Sequence, residues 1–149
     1  MPSDEPPFDP SDFLPYLLNQ AAEAAGQDFQ TIYKDRYGLL RTEWRVLFHL
    51  GNYGRMTAKE IGERAAIHKT KVSRAVQKLA ARRYLTRERG ETDRRFEYLE
   101  LTATGRAVYA DLRKVAQAYD ARLSARFSPE EVALLRSMLR RLSGRDRAE

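Results

Sequence analysis

The chain has 149 residues, of which 42% are hydrophobic and 32% charged, a balance typical of one folded domain. It contains no cysteine, which excludes disulfide bonds, thiolate metal sites and cysteine-based redox sensing. It also has no apolar run of about 18 residues and no signal-peptide pattern at its N-terminus. We therefore expect a cytoplasmic protein with no cofactor and no bound metal.

The positive charge is concentrated in one part of the chain. The net charge of the whole chain is +6. Residues 68–95 alone carry ten basic and three acidic side chains, a net charge of +7, whereas residues 1–12 carry four acidic side chains and no basic ones. Such a local excess of cations attracts polyanions such as nucleic acid.

The first elements predicted along the chain are an arm and a helix. Residues 1–10 hold four of the six prolines and predict a loose acidic arm. Ser11 is expected to cap a helix that begins near Asp12 and extends to about Lys34, because apolar residues recur there at helical spacing. Gly38 is expected to end this segment.

Residues 38–104 predict a compact central unit that contains a helix-turn-helix. Thr42 is expected to cap a first helix, and Thr57 with Glu60 forms the capping box of a second, short helix. A break at Ala66-Ile67 separates this helix from a basic one. The basic helix has an apolar stripe with i, i+3, i+4 and i+7 spacing, which consists of Val72, Ala75, Val76 and Leu79.

Two strands and two further helices are predicted after the basic helix. The strands lie at about Leu85–Arg89 and Phe96–Leu101, and their alternating side chains indicate a hairpin. Thr102 or Thr104 is expected to cap a long helix. The run Ser128-Pro129-Glu130-Glu131 is typical of a helix start and begins the last one.

The predicted fold class is mainly α with a small β-hairpin. It consists of a winged helix-turn-helix DNA-binding domain at residues 38–104, flanked by N- and C-terminal dimerisation helices at residues 11–37 and 105–145. Neither flanking segment has a core of its own, so we expect their apolar stripes to pack against each other and against a second copy of the chain. Two recognition helices about 34 Å apart then match successive major-groove faces of a palindrome.

The basic helix and the loop between the strands are the candidate DNA contacts. The helix is expected to enter the major groove with the face opposite its apolar stripe. That face consists of His68, Lys69, Thr70, Lys71, Ser73, Arg74, Gln77 and Lys78. Arg74 is suited to guanine and Gln77 to adenine, whereas the lysines are suited to phosphates. In the loop, Arg94 and Arg95 are candidates for minor-groove insertion, and Asp93 is expected to pair with a neighbouring arginine and orient the tip.

Three motifs follow one another in this part of the chain. They are KVSRAVQKLAARRYLTR at residues 71–87, D-x-R at Asp93-Arg94-Arg95, and LELTATG at residues 99–105. With the order of elements, they resemble the multiple-antibiotic-resistance regulator (MarR) family over about residues 12–143. The resemblance implies a homodimeric transcription factor, usually a repressor, that binds a palindromic promoter site. It also implies that Asp93 and Arg95 support the wing and contact DNA.

One position departs from the pattern of that family. The turn after the recognition helix usually carries glycine, and this chain has Arg83 there. A left-handed conformation costs a residue other than glycine about 1–2 kcal/mol. We therefore expect a different backbone conformation at this turn and a changed angle of the wing.

The resemblance also implies a small aromatic effector. Many members of the family bind phenolic or aromatic acids between the dimerisation helices and the DNA-binding domain, where an arginine pairs with a carboxylate among aromatic walls. Plain core packing of the same aromatic residues is the alternative. The candidate contacts are Tyr33, Tyr37, Arg41, Trp44, Arg45 and His49, and further aromatic residues in this region are Phe29, Phe48 and Tyr53.

Other classes of function fit the residues less well. An enzyme is not expected, because the two histidines lie in different predicted elements and no phosphate-binding loop or hydrolase motif occurs. Two alternatives remain open: an architectural protein that binds DNA without sequence preference, and a winged helix used for protein contacts. A regulator discriminates between sequences by roughly 10³-fold or more, and binding to DNA at low salt distinguishes it from a protein-contact module.

Overall fold

The computed structural model describes residues 4–145. They form two compact units, of which the first ends at Leu40 and the second begins at Arg41. Residues 1–3 of the predicted arm lie outside the described residues. Residues 4–9 form no helix or strand and are exposed.

The first unit contains a short 3₁₀ helix at Pro10–Asp12 and the long helix α1 at Leu14–Tyr37. The prediction that Ser11 caps α1 is wrong. Asp9 caps the 3₁₀ helix instead, and its Oδ1 accepts hydrogen bonds from both the amide and the hydroxyl of Ser11. α1 therefore starts later than predicted, and it ends at Gly38, whose φ of +64° is the left-handed conformation that glycine adopts without strain.

Three helices of the second unit form the predicted helix-turn-helix region. They are α2 at Arg41–Tyr53, α3 at Ala58–Ala65 and α4 at Lys69–Ala81. Thr42 lies inside α2 and does not precede it, so the prediction that Thr42 caps this helix is wrong. The capping box of Thr57 and Glu60 is confirmed, and the break at Ala66 is confirmed as a left-handed residue with φ of +54°.

A three-stranded antiparallel sheet follows the helix-turn-helix. Its strands are β1 at Met56–Thr57, β2 at Leu85–Arg89 and β3 at Glu97–Leu101, in the order β1-β3-β2. β2 and β3 form the predicted hairpin, although Phe96 lies outside its strand. β1 was not predicted, because two residues are too few for an alternating pattern.

Two helices complete the second unit, α5 at Ala103–Ser124 and α6 at Pro129–Leu142. Thr102 caps α5, with its hydroxyl oxygen 3.0 Å from the amide of Gly105, and Ser128 forms the predicted capping box of α6. A Cβ atom at Gly105 would overlap the carbonyl oxygen of Tyr84. Glycine therefore allows α5 to begin directly against the residue that precedes β2.

The core of the second unit is formed by α2, α3, α4, the sheet and the first half of α5. The apolar stripe predicted for the basic helix is buried, which confirms that α4 presents its other face to solvent. The largest fully buried side chains of the unit include Val46, Leu47, Ile61, Val72, Val76, Leu79, Leu99 and Leu112. α6 has no buried residue.

The turn after α4 differs from the sequence-based expectation. Arg83 adopts the left-handed conformation, with φ of +61°, despite its side chain. Three hydrogen bonds hold the turn: Arg83 N to the Ala80 carbonyl at 2.9 Å, Tyr84 N to the Leu79 carbonyl at 2.9 Å, and the Thr102 hydroxyl to the Arg83 carbonyl at 2.7 Å. The surrounding bonds thus impose the conformation that glycine would take without strain.

Candidate nucleic-acid interface

The outer face of α4 is a continuous polar surface. All eight side chains predicted to face DNA are exposed, because they lie opposite the stripe that packs into the core. They extend from the residue before the helix to its last turn and comprise His68, Lys69, Thr70, Lys71, Ser73, Arg74, Gln77 and Lys78. The structure therefore brings these residues together on one surface.

The cations of this face are not neutralised by neighbouring acids. Lys69, Lys71 and Arg74 make no ion pair with any residue between 4 and 145. Lys78 differs, because its Nζ lies 3.9 Å from the carboxylate of Glu43, a residue of α2 that is 3% exposed. No pattern in the sequence indicated that this acid is buried, and the contact directs Lys78 toward α2.

His68 has a structural role at the start of α4. Its Nδ1 accepts a hydrogen bond from the amide of Thr70 at 3.2 Å, so the imidazole is the N-cap of the helix. A side-chain acceptor satisfies one of the amides that the first turn leaves without a partner. The cap fixes the end of α4 that a recognition helix places deepest in the groove.

The loop between β2 and β3 is ordered by an ion pair at its tip. Asp93 accepts hydrogen bonds from the backbone amide of Arg95 at 3.0 Å and from its guanidinium at distances down to 2.7 Å. These bonds lower the pKa of Asp93 and raise that of Arg95. The pairing expected from the sequence is present, and Arg94 beside it is exposed.

Further contacts hold the hairpin beneath this tip. The amide of Gly90 donates to the carbonyl of Phe96 at 2.9 Å and closes the loop. Across the two strands, the Arg87 guanidinium pairs with the carboxylate of Glu97. The guanidinium of Arg55 lies 4.5 Å from the centre of the Tyr98 ring, which connects the hairpin to the loop before β1. These contacts therefore stabilise the two-stranded ribbon that carries the loop tip.

The residues predicted to bind an effector lie in both units. Tyr33 is buried and Tyr37 half-buried in α1 of the first unit. In α2 of the second unit, Arg41 is exposed, whereas Trp44, Arg45 and His49 are half-buried. Arg45 and His49 are one turn apart, and the Nδ1 of His49 lies 2.7 Å from the carbonyl oxygen of Arg45, to which it donates.

Known transcriptional regulators resemble this chain in sequence and fold. A MarR family model matches residues 37–95. The HTH-type transcriptional regulator MhqR of Bacillus subtilis is 28% identical over 85% of this chain and 88% of its own length. A solved MarR family regulator from Neisseria meningitidis is 28% identical, with a TM-score of 0.72 over 92% of this chain and 93% of that one. The chain is thus similar to MarR-family regulators in the sequence of residues 37–95 and in its fold.

The MarR-family fold extends beyond the matched segment. BpsR of Bordetella bronchiseptica, whose DNA binding is regulated by 6-hydroxynicotinic acid, superposes with a TM-score of 0.84 over 96% of this chain and 100% of that one, at 24% identity. The winged-helix fold class predicted from the sequence is thereby confirmed. The MarR family model that matches residues 37–95 agrees with the resemblance inferred from the motifs. The family model itself covers α2, α4 and the wing tip as far as Arg95.

Two further features concern membrane-spanning helices and metal-binding groups in the described part of the chain. Between residues 4 and 145, no helix is long and apolar enough to cross a membrane. Over the same residues, no group of three or more histidine, aspartate or glutamate side chains is placed to hold a metal ion.

Proposed function

We propose that this chain is a homodimeric transcriptional repressor of the MarR type that acts in the cytoplasm and binds a palindromic operator. The observation that carries the proposal is the exposed face of α4, whose cations Lys69, Lys71 and Arg74 have no acidic partner among the described residues. An unneutralised row of cations on a helix that fits the major groove is suited to DNA. The wing tip adds two arginines on the same basic part of the chain.

The chemistry of each side chain indicates which part of the DNA it is proposed to contact. Arg74 has the forked donors that match O6 and N7 of guanine, and Gln77 has the amide that matches adenine. Lys69, Lys71 and the more constrained Lys78 are assigned to phosphates, with Thr70, Ser73 and His68 beside them at the groove. Arg95, oriented by Asp93, and the neighbouring Arg94 are assigned to the minor groove.

Exposed apolar side chains support the homodimer. On α6, large apolar side chains are between 38% and 62% exposed, and these are Leu134, Leu135, Met138, Leu139 and Leu142. Around the start of α1, a second exposed set consists of Phe13, Leu14, Tyr16, Leu17 and Leu18. Sets of exposed large apolar side chains mark protein interfaces. A second copy with two-fold symmetry would cover both sets and would place two recognition helices on one palindrome.

Selection of bound duplexes from a random pool tests this function, since a homodimer should enrich a palindrome. With the selected site, Arg74→Ala should weaken specific binding by about tenfold or more, because one bidentate base contact is lost, and should change binding to random DNA little. Arg113→Ala on α5, an exposed arginine away from α4 and the wing, is the matched control. Equal affinity for all duplexes would instead indicate an architectural protein.

We also propose that a small aromatic acid releases the DNA. In the second unit, the contacts assigned to it are Arg41, Trp44, Arg45 and His49, which combine guanidinium donors with aromatic surface. Tyr33 and Tyr37 of the first unit remain predictions from the sequence. Displacement of the selected operator by benzoate, measured at constant ionic strength, tests this part of the proposal.

A further inference from the structure

Phe96 is a large apolar side chain at the tip of the wing. It directly follows Arg95 and precedes β3, and it is 44% exposed. Its ring makes no aromatic or cation–π contact with any residue between 4 and 145. A single exposed apolar side chain is common on proteins and becomes informative only through its surroundings. Here the backbone and the neighbouring charges distinguish Phe96 from an ordinary surface residue.

The backbone of Phe96 is held on both sides. Its amide donates to the carbonyl of Asp93 at 3.2 Å, and its carbonyl accepts from the amide of Gly90 at 2.9 Å. A Cβ atom at Gly90 would lie 2.6 Å from the carbonyl oxygen of Asp93, so glycine allows the loop to close this tightly. The aromatic ring is therefore carried on a fixed backbone, and little conformational freedom is lost when it binds.

The two residues before Phe96 are the arginines assigned to the minor groove. The guanidinium of Arg95 is oriented by Asp93, and Arg94 is exposed and makes no ion pair with any described residue. Arginine is attracted by the negative potential of a narrow minor groove, so this pair would bring the adjoining ring to the edges of the bases. Proteins that bind this groove insert apolar side chains such as phenylalanine between base pairs, which partly unstacks the bases and kinks the duplex.

We propose that Phe96 inserts as a wedge between two base pairs of the operator and bends the duplex, a step that rests on the proposed function. An exposed aromatic ring on a closed loop, next to two cations, combines the apolar surface and the positive charge that such a wedge requires. The pyrimidine–purine steps TA and CA/TG are the easiest to unstack. Operator recognition then includes one flexible step beneath each wing, which is read through its deformability and without a hydrogen bond to a base.

The salt dependence of operator binding separates a wedge from a phosphate contact. Phe96→Ala should lower operator affinity about tenfold, the equivalent of one lost aromatic stacking contact. Because an apolar ring displaces no counterions, the slope of log affinity against log salt should stay unchanged. Phe96→Leu keeps an apolar side chain and should retain most of the affinity. Thr92→Ala, at an exposed position of the same loop, is the matched control and should change neither quantity.

Selection of duplexes from a random pool, performed in parallel with the wild-type chain and with Phe96→Ala, tests the flexible step. Both proteins should enrich the same palindrome at the bases read by α4, since Phe96 lies outside that helix. The wild-type chain and Thr92→Ala should also enrich TA or CA/TG at a fixed distance from each half-site, and Phe96→Ala should lose this preference. The same flanking preference in Phe96→Ala, or none in the wild-type chain, would overturn the wedge.

Unstacking is measured directly with 2-aminopurine, a fluorescent analogue that replaces the adenine of the flexible step and brightens when it unstacks. The wild-type chain and Thr92→Ala should raise its fluorescence at saturation, whereas Phe96→Ala should not. Thermal melts of the variants establish that each is folded, as expected for exposed side chains. Binding of the palindrome by the wild-type chain without a rise in fluorescence would overturn the wedge and leave the proposed function standing. A chain that enriches no duplex at all would refute both.

Discussion

At the scale of single residues, the wing tip depends on one carboxylate that lies close to where DNA phosphates are expected. Replacing Asp93 with asparagine removes a negative charge, which by itself should favour binding to DNA. We nevertheless predict weaker operator binding for Asp93→Asn, because the guanidinium of Arg95 loses one of the two oxygens that orient it and the negative charge of the ion pair. Arg95→Ala should weaken binding as well, and should reduce the slope of log affinity against log salt by about one.

The neighbouring acid of the same loop is the matched control. Glu91 is exposed and makes no contact with the described residues. Glu91→Gln removes the same charge as Asp93→Asn without touching the ion pair, so its operator affinity should stay equal or rise. Fluorescence anisotropy over a salt series measures all three variants. Identical behaviour of the two acid variants would show that charge alone matters at the tip.

His49 gives the stability of the protein a dependence on pH. Its pKa is lower in the folded chain than in the unfolded chain, chiefly because of burial. The unfolded chain therefore takes up the proton first, and the free energy of unfolding should fall as the pH drops below about 6.5. His49→Gln should flatten this decline between about pH 7 and about pH 5.

Urea denaturation at several pH values provides the measurement. The other histidine, His68, supplies the control, because His68→Asn removes its imidazole and keeps a side chain that caps α4. The decline should persist in this variant. If the decline in the free energy of unfolding persisted in His49→Gln and disappeared in His68→Asn, the pH dependence would belong to His68 and not to His49.

At the scale of elements, local chemistry made most helix ends predictable. The capping boxes at Thr57 and Ser128 act within four residues, so a pattern in the sequence was sufficient. The two-residue strand β1 depends on pairing of Met56 with Leu99, a distant part of the chain, and left no local pattern. The exposed face of α4 was predictable in the same way, from the apolar stripe of that helix. The hydrogen bond from Arg145 to the Glu63 carbonyl, by contrast, joins residues 82 positions apart.

The turn between α4 and β2 shows tertiary contacts overriding a local preference. Arg83→Gly should raise the free energy of unfolding by about 1 kcal/mol, since it relieves about 1–2 kcal/mol of left-handed strain and costs about 0.4–1 kcal/mol through the more flexible unfolded chain. Arg83→Ala removes the same guanidinium and keeps a Cβ atom, so it should not stabilise the protein. Urea denaturation of the two variants, side by side, separates backbone strain from side-chain charge; equal stability would refute the strain.

At the scale of the whole molecule, the exposed apolar sets and the proposed DNA contacts both require a second copy of the chain. One copy presents a single α4, and each recognition helix reads only half of a palindrome. The apolar side chains of α6 repeat at helical spacing, in the narrow seam that helices use to pack against each other. Association of two copies would bury this seam and double the contacts with the operator, so dimerisation and DNA affinity should be lost together.

Removal of α6 tests whether dimerisation and DNA affinity depend on this helix. A chain ending at Phe127 should sediment as a monomer and bind the operator poorly, because the exposed seam is gone. Leu135→Glu/Leu139→Glu should do the same without shortening the chain, since a charge placed in an apolar interface is costly. Ser137→Glu, on the other side of α6, adds a charge and should leave the dimer intact. A stable dimer after the cut at Phe127 would mean that the last helix has no part in association.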